Sequence, residues 1–75
     1  MSAVRFICKT VTKASHEEVR NKVFLSGGSI LREKIRKDTS REFEGEMEIV
    51  CEGGTLYRDL KENGLTSTCY LVNLL

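Results

Sequence analysis

His16 and three cysteines, Cys8, Cys51 and Cys69, are the residues of this 75-residue chain best suited to nucleophilic attack or soft-metal ligation. Nucleophilic catalysis needs a base within hydrogen-bond reach of the nucleophile and a third group to orient that base. Structural zinc needs four ligands, usually in closely spaced pairs. Neither pattern is present. The cysteines are odd in number and widely spaced, which points away from a disulfide framework or a zinc site and towards free thiols in a reducing compartment. His16 stands in a polar stretch, Lys13 to Glu18, with no Cys or Asp at useful spacing, and is expected at the surface. The sequence therefore predicts no enzyme, no metal and no cofactor.

Two weaker chemistries need weighing. Val23 to Glu33 and Ile49 to Asp59 echo each other as apolar residues, Gly-Gly, Ser/Thr and a helix-like run. Such a turn can cradle phosphate on helix N-terminal amides. No Lys follows the second glycine as in a Walker loop, and a strand-to-helix turn with positive φ and an N-cap is the simpler account. Arg32, Arg36, Lys37 and Arg41 form a basic cluster, but no aromatic residue interleaves them to stack bases. A solvated face is expected there, with no specific nucleic-acid binding.

Composition agrees. Twelve basic and eleven acidic residues leave a net charge of +1, so no bulk field draws the chain to nucleic acid or membrane. The charges are segregated: Arg20 to Arg41 holds seven basic and two acidic residues, and Glu42 to Glu62 the reverse. No apolar stretch approaches the ~20 residues that span a bilayer, and nothing at the start resembles a signal peptide. One intracellular domain over 1–75 is expected, cytoplasmic or nuclear, with a modest core.

The elements that must position any site follow from periodicity. Val4 to Thr12 alternates and predicts a strand with Val4, Phe6 and Cys8 inward. Val19 to Leu25 predicts a second strand on Val19, Val23 and Leu25; the alternative is a helix capped by Ser15 with Glu18 three residues on. Ser29 caps a predicted helix to Thr39, with Leu31 and Ile35 on its apolar side. Glu42 to Ile49 alternates strictly and predicts a strand with Phe43, Met47, Ile49 and Cys51 inward and its glutamates and Val50 outward. A short helix follows from Leu56 to Glu62, ended by Asn63-Gly64. Thr68 to Val72 is apolar on both faces, the composition of a central strand. The predicted order is β-β-α-β-short α-β in an α+β fold.

In that order the chain resembles ubiquitin and its relatives. Phe6-Ile7-Cys8-Lys9-Thr10-Val11-Thr12 is similar to ubiquitin's first strand and turn, Thr55-Leu56 to the start of its short helical turn, and Ser67-Thr68-Cys69-Tyr70-Leu71-Val72 to its last strand. The resemblance implies a β-grasp: a mixed sheet of four to five strands on one helix, with the first and last strands paired parallel. The inward set would be Val4, Phe6, Cys8, Val19, Val23, Leu25, Leu31, Ile35, Met47, Ile49, Cys51, Leu56, Cys69 and Leu71. It also implies a protein-binding patch on the outer sheet face, carried onto Val11, Val50 and Val72, with Tyr70 and Lys9 beside it and Glu48 where ubiquitin has a basic residue.

The expected function is a non-conjugated interaction domain, in or near the ubiquitin pathway, working as a monomer or weak homo-dimer. With Glu46 and Glu48 at the rim, the expected partner is a protein offering an apolar anchor flanked by basic residues. The chain ends Val72-Asn73-Leu74-Leu75, without a Gly-Gly tail. The alternatives are a conjugatable modifier whose tail lies outside this sequence and a nucleic-acid-binding module using the basic cluster.

Overall fold

The structure is a computed structural model and describes residues 3–63 and 67–74. Strand β1 (Ala3–Thr10) is followed by helix α1 (Lys13–Leu25), strands β2 (Ser29–Asp38) and β3 (Phe43–Glu52), helix α2 (Thr55–Asn63) and strand β4 (Ser67–Leu74). The four strands form one sheet in the order β2-β3-β1-β4. Every neighbouring pair is antiparallel. Each helix connects two parallel strands with a third lying between them, a split β-α-β arrangement used twice.

The α+β class, with a four-stranded sheet and helices, is as expected. The order of elements is not. Val19 and Val23 lie four apart, a spacing that suits a strand and a helix alike. Polar Asn21 between them breaks a strand face, whereas a helix aligns the buried residues His16, Val19 and Val23 on one side. Thr12 caps this helix by accepting the Ser15 backbone N–H at 3.1 Å. The helix ends at Ser26, and Gly27 takes the left-handed conformation (φ 78°) that closes it. The first Gly-Gly turn therefore joins a helix to a strand, the reverse of the expected connection.

Ser29–Asp38, expected as a helix, is an edge strand with two register shifts against β3. Leu31 and Ile35, again four apart, are both more than half exposed instead of lining a helix. Arg32 lies opposite Glu48, and Lys34 opposite Glu46. That cross-strand charge match outweighs a helix propensity worth only tenths of a kcal/mol per residue. Thr39 closes the β2–β3 hairpin: its N–H donates to the Glu42 carbonyl at 2.8 Å, and its hydroxyl accepts the Glu42 N–H at 2.9 Å.

The third correction is the pairing of the chain's ends. β1 and β4 run antiparallel where the resemblance implied parallel strands, and Val72 is the extra residue at a register shift between them. With both helices formed, β4 follows the α2 crossover from β3 and so runs parallel to β3 and opposite to β1. Gly64, expected to end α2, lies outside the described residues.

Both helices cover the same face. Val4, Phe6 and Cys8 of β1, Met47, Ile49 and Cys51 of β3, and Cys69 of β4 pack with Val19 and Val23 of α1 and Leu56 and Leu60 of α2. Phe6, Met47 and Ile49 are fully buried, each stabilising the fold by roughly 1.5–3 kcal/mol. Tyr57 of α2 tilts onto Phe6 at 5.2 Å between centroids. Leu25, expected inside, is 88% exposed because it ends α1 beyond the sheet, and Leu71, also expected inside, is nearly half exposed on the edge strand.

Nor are the thiols all reduced. Cys8 and Cys69 stand opposite each other on β1 and β4, 4.1 Å apart at Cα, and form a disulfide. Wide sequence spacing hid a pair that only the antiparallel register brings together. Cys51 remains free and buried, and burial pushes its thiol pKa up.

Candidate interaction surface

Alternation along the strands gives the sheet a second face that neither helix covers. In register across it lie Arg5, Ile7 and Lys9 of β1, Glu44, Glu46, Glu48 and Val50 of β3, Arg32 and Lys34 of β2, and Thr68 and Tyr70 of β4. Charge alternates strand by strand: a basic row on β2, an acidic row on β3, Ile7 between two basic residues on β1, and an uncharged row on β4.

The sequence-predicted residues fall as follows. Ile7 of β1 is flanked by Glu48 on one side and Tyr70 on the other. The Lys9 ammonium lies 6.0 Å from the centroid of the Tyr70 ring, at the outer limit of a cation–π contact. Val50 is half-buried opposite Arg5. Tyr70 and Val72 are about two-fifths exposed. Lys9, Glu48, Val50 and Tyr70 thus share one face, and Val72 adjoins it at the β4 bulge. Val11 stands apart in the β1–α1 connection, exposed beside a shallow cleft of about 510 Å³ that Lys9, Arg36, Lys37, Phe43 and Thr68 also line.

The glutamates are not a free acidic rim. Arg5 Nε stands 3.4 Å from Glu48 Oε2, and Arg36 Nη2 stands 3.4 Å from Glu46 Oε2. Ion pairs divide the basic cluster in the same way: Arg36 meets Glu46, and Lys37 meets Glu42 at 3.1 Å. Ile7 and Arg5 were missed among the site residues, although the β1 alternation already placed Arg5 outward; the resemblance directed attention to the turn and to β3 instead.

One further constellation was missed. His16, expected at the surface, is buried. Its Nδ1 lies 2.7 Å from Thr10 Oγ1 and its Nε2 lies 2.6 Å from Glu33 Oε2, with Arg20 Nε 3.7 Å from the same carboxylate oxygen. A carboxylate only accepts, so Nε2 carries a proton towards Glu33, while the Thr10 hydroxyl can either donate to Nδ1 or accept from it. Alcohol, imidazole and carboxylate in this order resemble a nucleophilic triad. Thr10 is fully buried, however, so no substrate atom can reach its oxygen. The chain of bonds fastens α1 to β1 and β2. Its partners lie six and seventeen residues from His16, and no local motif announces them.

Among the described residues no group of three or more His, Cys, Asp or Glu side chains is placed to hold a metal, and no helix is long and apolar enough to cross a membrane. No protein-family model and no curated protein matches the chain.

Proposed function

We propose that this domain is a protein-binding module that works through the open face of its sheet, without catalysis of its own. The observation that supports this is a four-stranded sheet with both helices on one side and, on the other, Ile7, Val50 and Tyr70 grouped next to Val72 and bordered by ion-paired charges. Partly exposed apolar and aromatic side chains inside a polar border are the make-up of a small contact surface. The partner's matching feature is an apolar anchor. Flanking basic residues are not called for, because Glu46 and Glu48 already meet Arg36 and Arg5.

An open four-stranded sheet is also how some modules bind RNA, by stacking bases on aromatic residues of the central strands. Here the corresponding β3 row is Glu44, Glu46 and Glu48, with no aromatic side chain to stack a base. Tyr70 is the one aromatic side chain among the described residues of this face, and it lies on the edge strand. The proposal keeps the binding role and the outer face that the ubiquitin resemblance suggested, but it does not depend on that resemblance, whose parallel terminal strands this sheet does not share.

The test is affinity capture on the wild-type domain followed by titration of the captured partner. Ile7→Ala and Tyr70→Ala should each weaken binding about fivefold to thirtyfold, or roughly 1–2 kcal/mol, with the fold retained. Wild-type affinity in both folded variants would sink the proposal.

A further inference from the structure

The two edges of the sheet are built differently. β2 carries six charged residues in its ten, Arg32, Glu33, Lys34, Arg36, Lys37 and Asp38, together with two register shifts. Charges and bulges are what keep an edge strand from pairing with another chain. β4, at the opposite edge, has the sequence STCYLVNL, with no charge and no proline. Its Tyr70, Leu71 and Val72 are each more than 40% exposed, and among the described residues the sheet has no further strand beyond it. A strand apolar on both faces has the composition of a sheet centre, yet it lies at an edge.

We propose that β4 is a pairing edge for a second copy of this chain. The β4 strands of two copies pair antiparallel about a two-fold axis normal to the sheet, joining two four-stranded sheets into one. Each β4 then becomes central, as its composition requires. The helices of both copies lie on one side, and the two open faces merge on the other.

The choice of occupant follows from symmetry and charge. A two-fold axis normal to the sheet sets each face of β4 against the same face of the second β4. Thr68, Tyr70 and Val72 thus meet the same group, and Cys69 and Leu71 meet theirs, with no charge opposed in any register. Pairing β2 with a second β2 about Glu33 would instead set Arg32 of each copy against Lys34 of the other, and like charges directly opposite are destabilising. Pairing β4 with β2 would set uncharged against charged residues in a head-to-tail contact without two-fold symmetry.

The experiment is sedimentation equilibrium on the oxidised full chain from micromolar to millimolar concentration. Leu71 sits opposite Phe6 on the helix side of β4, away from the open face, so substitutions there separate this proposal from the previous one. The wild type should dimerise. Leu71→Lys and Leu71→Glu alone should each raise the dissociation constant at least tenfold, and an equimolar mixture of the two should recover the dimer. Thr68→Lys, on the other face of the strand, should act like Leu71→Lys, and it decides the matter if either Leu71 variant fails to fold. Ile7→Ala should leave the dimer intact. A wild type that stays monomeric to millimolar concentration, a dimer indifferent to these substitutions, or a mixture of folded Leu71 variants that remains monomeric would overturn the proposal.

Discussion

Opening the Cys8–Cys69 bond is expected to lower the unfolding free energy by about 4 kcal/mol. The bond closes a loop with a sequence separation of 61, and loss of chain entropy in the unfolded state gives roughly 4 kcal/mol for a loop of that length. A domain of this size has about 4–11 kcal/mol in total, so the reduced chain sits near the edge of folding. The midpoint of thermal unfolding should fall by roughly 15–30 °C. Equilibrium denaturation with and without reductant, repeated on the Cys8→Ala/Cys69→Ala chain, measures this. Native unreduced protein should also label at one thiol only, slowly, because Cys51 is buried and its pKa is raised. A loss under about 1 kcal/mol, or three thiols labelling at once, would show that β1 and β4 are not joined. The odd cysteine count suggested a reducing compartment; such a compartment removes this contribution and an oxidising one keeps it.

Gly45→Ala should cost about 2–4 kcal/mol, although replacing glycine within a strand normally helps. A Cβ at this position would lie 2.6 Å from His16 Nδ1 and 2.8 Å from Thr10 Oγ1. The ring cannot retreat, since Thr10 and Glu33 hold it at both nitrogens and Phe43 stands edge-on 5.4 Å away. Overpacking contributes roughly 1–3 kcal/mol, and a broken buried hydrogen bond contributes about as much again. In a His16→Ala background the same Gly45→Ala change should be neutral or stabilising, because the obstructing ring is gone. Denaturant titration of the four proteins in this cycle gives the coupling. Simple additivity would mean that His16 does not lie over Gly45.

Much of the framework was legible because alternation is a local signal. Glu42 to Cys51 and Val4 to Cys8 specify their faces residue by residue, and the structure buries Phe6, Cys8, Met47, Ile49 and Cys51 as expected. The two misassigned elements share one cause. Val19 and Val23, like Leu31 and Ile35, are four residues apart, and that spacing serves helix and strand equally. With α1 and β2 exchanged, a consistent but different order of elements resulted, and the resemblance to ubiquitin then reinforced it. The outward faces of β1, β3 and β4 survived the exchange, which is why Lys9, Glu48, Val50 and Tyr70 still share a surface. Ile7 at its centre follows from the same β1 alternation that places Arg5 outward. The Thr10–His16–Glu33 chain and the disulfide needed tertiary contacts that no spacing in the sequence encodes.

The central claim, that the open sheet face is the working surface, is tested most directly by methyl NMR of the domain titrated with its captured partner. The account predicts that the methyl signals of Ile7, Val50 and Val72 shift or broaden together with the Tyr70 ring. Leu25 and Leu31, exposed at the end of α1 and on β2, should stay where they are. Perturbation confined to Leu25, Leu31 and the Phe24 ring, with Ile7 and Val50 unmoved, would place the working surface elsewhere and contradict the account.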